Sequence, residues 1–88
     1  MANEGSDLST FDEVQGIASD IFGVAVAKLT ADSSPDTVDT WDSVQHLNLV
    51  LALEERFGLQ LSPEEIDQMK TLGATAALIQ TKLQTSPR

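Results

Sequence analysis

The sequence contains no cysteine. Disulfide bonds, thiolate zinc sites and cysteine nucleophiles are therefore excluded together. A chain without cysteine is compatible with a reducing compartment, and we expect a cytoplasmic protein. The acidic residues do not follow the spacing of a calcium-binding loop with its central glycine either. We therefore expect no metal site.

Long apolar runs are also missing. No stretch approaches the ~20 consecutive apolar residues that a membrane-spanning helix needs. The opening residues, MANEGSDLST, have neither the basic patch nor the apolar stretch of a secretory signal. We therefore expect no membrane contact.

Basic residues are scarce, since 5 Lys and Arg stand against 14 Asp and Glu and give a formal net charge of −9. Such a surface repels phosphate backbones, so nucleic-acid binding is not expected. It attracts partner proteins that carry basic patches. An acidic surface also serves solubility alone, so the charge narrows the class of partner without identifying a function.

The length of 88 residues fits one domain and exceeds the length of about 40 below which chains usually need disulfides or metals to fold. Apolar residues make up 41% of the chain, which allows a modest core but no enclosed enzyme cleft. We expect flexible tails at residues 1–8 and 85–88 and a single domain over residues 9–84.

Two long helices are predicted in the first two thirds of the chain. The first begins with a capping box from Thr10 to Glu13 and ends at Gly23. The second follows Trp41 and ends before Gly58. The residues predicted to face the core are Val14, Ile17, Ala18 and Ile21 in the first helix and Val44, Leu47, Val50, Leu51 and Phe57 in the second.

A short helix and a third long one follow. Ser62 is the predicted N-cap of the short helix, with Pro63 at its first position and Glu65 three residues after the cap. The last helix begins near Thr71, and no stretch has the alternation of a strand. The fold class is therefore all-α, a four-helix bundle of three longer helices plus one short helix. The predicted core residues here are Ile66 and Met69, then Leu72, Ala76, Ile79 and Leu83.

The connection between the first two helices is unusually long. It runs from Gly23 to Trp41, beyond the two to eight residues usual between bundle helices. Long ordered loops that lead to a helix start often carry function, although a plain crossover is the simpler interpretation. Its apolar residues indicate that it packs over the bundle: Val24, Val26, Leu29 and Val38.

The loop ends in Trp41-Asp42-Ser43-Val44-Gln45. With Asp42 as N-cap, Gln45 lies at the third helical position and closes a capping box. The hydroxyl of Ser43 is then free, at a helix N-terminus whose dipole and backbone N–H groups favour a phosphate. By itself the Asp-Ser pair is better explained as a simple helix cap.

Asp42-Ser43-Val44 and the helix that follows, HLNLVLALEERFG, resemble the acyl and peptidyl carrier protein family. The resemblance runs from about Phe11 to Leu83. It implies that Ser43 receives 4′-phosphopantetheine from coenzyme A through a separate phosphopantetheinyl transferase, with Asp42 positioning that reaction. The arm then holds acyl intermediates as thioesters, and the chain is a carrier without catalytic residues of its own. The implied partners are acyl-activating ligases, ketosynthases or other acyl-processing enzymes with basic patches, and the implied state is a monomer.

The second helix departs from the pattern of fatty-acid carriers. Gln45 and Asn48 are neutral where acids are often found, so docking on an ordinary fatty-acid synthase is in doubt. Trp41 stands where small residues are common, and either staples the loop or contacts a partner or the arm. A pathway of fatty-acid, polyketide or other specialised biosynthesis is implied, with a specialised carrier favoured. The predicted partner surface comprises Trp41, Val44, Gln45, Asn48, Glu54 and Glu55.

Two other functions stay open. The first is an unmodified acidic helical adaptor that binds a partner protein. The second is a small hydrolase using Asp42, Ser43 and His46, although these crowd within one helical turn, where a triad does not align. His46 is expected to be an exposed helix residue that at most pairs with Asp42. Val44, Leu47 and Met69 are expected in or near the core, and small Gly73 and Ala76 suggest space for an acyl tunnel.

Overall fold

The computed structural model describes residues 6–85, and within them the chain is all-helical. The helices are α1 (Ser6–Phe22), α2 (Ser43–Phe57), α3 (Pro63–Gln68) and α4 (Leu72–Thr85), with one 3-10 turn at Val26–Lys28. The predicted fold class is confirmed. α1 lies at the centre of the packing because it contacts both α2 and α4, while α3 packs against α4. None of the helices in residues 6–85 is long and apolar enough to cross a membrane.

The core is one continuous cluster drawn from all three long helices and from the loop. Leu49, Leu53 and Ile79 are completely buried, which is worth about 1.5–3 kcal/mol for each large aliphatic side chain. The buried apolar residues are Val14, Ala18, Phe22, Leu29, Val38, Trp41, Leu49, Val50, Leu53, Leu61, Met69, Leu72, Ala76 and Ile79.

α1 starts earlier than the sequence predicted. It begins at Ser6, so Thr10 lies inside the helix and is not its N-cap. The Thr10 hydroxyl instead donates a hydrogen bond to Gln80 Oε1 of α4, at 2.5 Å. The N-terminal tail predicted for residues 1–8 overlaps α1 at 6–8, and its remainder lies outside the described residues, as do residues 86–88 of the predicted C-terminal tail. The C-terminal end of α1 is as predicted, because Gly23 follows with φ of 68°.

α2 buries only part of the face that was predicted, since Val50 is buried and Phe57 is half-buried against the core. Its buried residues are Leu49, Val50 and Leu53. The sequence shows apolar residues on more than one side of this helix, and helical spacing alone does not say which side meets α1. The prediction of a buried position was wrong for three residues, which are exposed at 67%, 56% and 62%: Val44, Leu47 and Leu51.

The long loop is fastened to the start of α4. Leu72 N–H donates to Ser33 O and Gly73 N–H donates to Ala31 O, both at 2.9 Å, so the loop accepts from backbone donors that the first turn of a helix leaves unpaired. A Cβ on Gly73 would lie 3.0 Å from both Cβ and O of Ala31. The space over Gly73 that the tunnel hypothesis needed is therefore filled by the loop. Leu29 and Val38 are buried as expected, whereas Val26 is exposed.

Candidate functional site

The N-terminus of α2 is organised by Asp42. Its Oδ1 accepts a hydrogen bond from Gln45 N–H at 2.9 Å, so Asp42 is the N-cap as predicted. The return half of the predicted capping box is missing, because the Gln45 side chain donates to Ile21 O of α1 at 2.8 Å. Gln45 thus ties the start of α2 to the end of α1.

Ser43 is the first residue of α2, and its side chain is exposed. Within residues 6–85 its hydroxyl makes no hydrogen bond, since Asp42 performs the capping. The first turn of α2 contains no acidic residue. A phosphate on Ser43 would therefore lie at the positive end of the helix dipole, beside backbone N–H groups.

A surface groove of about 760 Å³ opens beside Ser43. One wall is the loop at residues 34–36, and the other is the end of α3 and the residues after it. Sequence reasoning missed this pairing, because the loop has no helical period and nothing local places it against α3. The lining residues are Ser34, Pro35, Asp36, Trp41, Asp42, Ser43, His46, Leu47, Ile66, Asp67, Met69 and Lys70.

Trp41 lies in the core, only 2% exposed, and also lines this groove. Its ring stacks on Phe22 of α1 with centroids 4.9 Å apart. Its Nε1–H donates to His46 Nδ1 at 2.9 Å. Trp41 therefore packs the end of the loop against α1, which is the first of the two roles considered for it.

His46 differs from the expectation of an exposed residue paired with Asp42. It is half-buried, and its Nε2 lies 3.2 Å from Ile66 O of α3. Both ring nitrogens are therefore engaged away from Ser43. No hydrogen bond joins His46 to the Ser43 hydroxyl within residues 6–85, so the ring is not placed as a general base for a hydrolase.

The other residues of the predicted partner surface differ in how far they are available. Val44 and Glu55 are exposed. Asn48 is exposed and donates to Gln45 Oε1 at 2.7 Å. Glu54 is half-buried, and its carboxylate accepts from Leu61 N–H at 2.8 Å, which ties the end of α2 to the segment before α3.

The charged groups of the groove are three carboxylates and one ammonium, contributed by Asp36, Asp42, Asp67 and Lys70. Within the described range 6–85 no group of three or more His, Cys, Asp or Glu side chains is arranged to hold a metal ion. What the site offers is a free hydroxyl at a helix N-terminus, next to a groove of mixed polarity.

Comparison with known proteins identifies a matching family and a similar solved structure. Residues 12–79 match the family described as "Phosphopantetheine attachment site". Among solved structures, the chain is similar to the holo acyl carrier protein from Geobacter metallireducens, determined by solution NMR. The TM-score is 0.77 and the sequence identity 31%, over 85% of this chain and 86% of that chain.

Proposed function

Since this chain belongs to the phosphopantetheine-attachment family, we propose that Ser43 is the residue that holds its covalent 4′-phosphopantetheine group. The free hydroxyl of Ser43 is the observation that carries this assignment. The matched segment contains four other serines, and the side-chain oxygen of each takes part in a hydrogen bond to the backbone: Ser19, Ser33, Ser34 and Ser62.

The chain is a carrier and not a catalyst. Asp42 acts indirectly on the attachment, because its carboxylate caps α2 and leaves the neighbouring hydroxyl exposed to a transferase. The backbone N–H groups of the first turn stabilise the negative charge of a phosphodiester on Ser43. When bound, the group supplies a thiol at the end of a flexible arm, where acyl cargo is held as a thioester.

The groove fits such an arm in its chemistry. The arm begins with a phosphodiester, continues through amide units and ends in an apolar thiol segment. The groove offers apolar surface from Leu47, Ile66 and Met69 together with the polar ends of Asp67 and Lys70. This mixture suits a ligand that is neither wholly apolar nor wholly charged.

Attachment is tested by intact mass. We expect the apo chain, incubated with coenzyme A, magnesium and a promiscuous phosphopantetheinyl transferase, to gain the mass of one phosphopantetheine. Ser43→Ala should gain none, whereas the control Ser34→Ala, which changes a serine of the same groove, should be modified like the wild type. Modification of Ser43→Ala, or no modification of the folded wild type by several competent transferases, would contradict the assignment. The latter result would favour the unmodified adaptor.

We propose further that the outer face of α2 is the docking surface for the transferase and for acyl-processing enzymes. Apolar Val44, Leu47 and Leu51 are exposed on this face, with Glu55 and the neutral Asn48 also on the surface of the helix. Exposed apolar residues of this kind often mark contact surfaces. The net charge of −9 draws basic partners toward the whole molecule. The neutral Asn48 and the apolar stripe support a carrier for a specialised pathway rather than for general fatty-acid synthesis.

A further inference from the structure

The bonding of His46 defines its protonation state. An indole N–H only donates, so His46 Nδ1, at 2.9 Å from Trp41 Nε1, has to accept and is unprotonated. A backbone carbonyl only accepts, so His46 Nε2, at 3.2 Å from Ile66 O, carries the proton. The partners thus assign a neutral imidazole with the proton on Nε2.

These two bonds connect His46 of α2 to the end of the long loop and to α3. Trp41 ends the long loop and stacks on α1, while Ile66 belongs to α3, which packs against α4. Within residues 6–85 the bond from His46 to Ile66 is the one side-chain hydrogen bond between α2 and α3. Trp41, His46 and Ile66 also all line the groove beside Ser43.

We propose that neutral His46 is a positioning residue that holds the loop end and α3 at the spacing of the groove, and that its protonation releases the loop end. A protonated ring carries N–H groups on both nitrogens. Its Nδ1–H would then face the Nε1–H of Trp41, donor against donor, and that bond is lost. The bond to Ile66 O needs only Nε2–H and survives protonation, so the release is on the Trp41 side.

Four charged side chains line the same groove as the His46 ring. Asp42 precedes His46 by one helical turn on α2, Asp36 lines the groove from the loop, and Asp67 does so from α3. Lys70 is the one cation lining the groove and opposes them. The lining of the groove thus contributes three carboxylates and one ammonium, while the indole N–H of Trp41 bonds only to the neutral ring.

The consequence for function is that the groove beside Ser43 has two states. With His46 neutral, the Trp41 ring is held by its hydrogen bond to His46, and the groove is preformed. With His46 protonated, the Trp41 ring loses its hydrogen bond to α2, and this wall of the groove is less tightly fixed. The effect of these two states on the arm rests on the proposed attachment at Ser43. The two states of the contact between Trp41, His46 and Ile66, here called the clamp, do not depend on it.

The experiment uses the single Trp and the single His of the sequence as reporters. In the apo chain, the Trp41 indole N–H resonance and the His46 ring resonances are followed by NMR from pH 8 to pH 5. We expect the indole resonance to shift with the same midpoint as the His46 ring. His46→Gln, whose amide both accepts and donates without titrating, should keep the neutral-pH position of the indole resonance and lose its pH dependence. His46→Leu should displace the resonance at every pH.

An indole resonance that does not move with the His46 ring, or one that moves equally in His46→Gln, would overturn the clamp. Asp67→Asn serves as a control for titration of the neighbouring carboxylate, and its indole resonance should still follow His46.

In the holo chain, the methyl resonances of the pantetheine arm should shift with the same midpoint in the wild type and not in His46→Gln. An arm that is indifferent to pH while the apo clamp responds would overturn the positioning role. Failure of attachment itself would instead be seen as a missing mass gain and would leave the apo result standing.

Discussion

At the residue scale, the division of work between Asp42 and Ser43 explains how the hydroxyl of a serine at a helix start stays exposed. A serine at this boundary is usually absorbed as a cap, because its oxygen accepts from the backbone two or three residues on. Here Asp42 supplies that oxygen one position earlier. The hydroxyl of Ser43 is left exposed without a partner in the described part of the chain.

The space available at Gly73 is likewise limited by one neighbouring residue, Ala31. A Cβ at this position would meet backbone and side-chain atoms of Ala31 at 3.0 Å, and a backbone does not move aside cheaply. We predict that Gly73→Ala destabilises the fold by about 1–3 kcal/mol. Gly16→Ala is the matched control, since nothing lies within 4 Å of its Cβ in α1 and the change should stabilise by up to about 1 kcal/mol.

Urea unfolding of the two glycine variants measures both effects. Equal effects of the same sign would show that the loop does not press on α4 as described. A loss confined to Gly73→Ala would show that the contact between the loop and α4 contributes to stability.

At the element scale, α3 is a helix of six residues that depends on its ends. Isolated helices of this length are not stable in water, so caps and tertiary contacts decide whether it forms. Ser62 Oγ accepts from Glu65 N–H, and the Glu65 carboxylate accepts from Ser62 N–H at 2.8 Å. Lys82 of α4 donates to both carboxylate oxygens of Glu65 at 2.9 Å. Glu65 therefore joins the cap of α3 to α4.

These contacts predict a pH dependence of stability. The backbone N–H of Ser62, followed by Lys82, lowers the pKa of Glu65 below its ordinary value of 4.5. A lowered pKa in the folded state means that the contribution is present above about pH 4.5 and is lost as the pH falls through the folded value. We expect Glu65→Gln to be less stable than the wild type at pH 7, with the difference shrinking toward pH 3.

The control for Glu65 is Glu64→Gln, which removes the same charge one residue earlier. The Glu64 side chain is exposed and makes no hydrogen bond within residues 6–85. The unfolding free energies of the wild type, Glu65→Gln and Glu64→Gln at pH 7, 5 and 3 test this prediction. If the unfolding free energies of the two variants changed with pH in the same way, Glu65 would not be the source of the pH dependence.

At the scale of the whole molecule, the bundle keeps its loop and α3 on the side of Ser43 and turns the outer face of α2 toward solvent. The first arrangement forms the groove, and the second leaves Val44, Leu47 and Leu51 exposed. Because a fold with α2 rotated would bury these three residues, their exposure follows from how α1 and α2 pack. The proposed docking surface is in this sense a property of the whole bundle.

Docking through this face is tested with the phosphopantetheinyl transferase as the probe. Leu47→Asp places a charge on an exposed apolar position, so we expect kcat/KM for modification to fall about tenfold, which corresponds to about 1.4 kcal/mol. Ala77→Asp adds the same charge at an exposed position of α4 and should change the rate little. Equal effects of the two variants would point to net charge rather than the face of α2. Unchanged thermal unfolding of both variants would exclude a loss of fold.

Local signals in the sequence determined the ends of several elements. Asp42 at the start of α2, Gly58 at its end and the capping box at Ser62 were all predicted and are confirmed. Each of these depends on bonds between residues at most four positions apart, so the sequence contains all the partners. Thr10 was the exception, because a longer helix formed and its hydroxyl bonds to α4 instead.

Tertiary structure decided everything that depends on partners distant in the sequence. Which apolar face of α2 is buried depends on α1, and the burial of Trp41 depends on Phe22. The groove exists because the loop at 34–36 and the end of α3 meet beside Ser43. The sequence by itself determined the presence of the helices, the N-caps of α2 and α3 and the serine at the start of α2. Only packing decided what surrounds that serine, because burial and close contact are properties of residues brought together by folding rather than of neighbours along the chain.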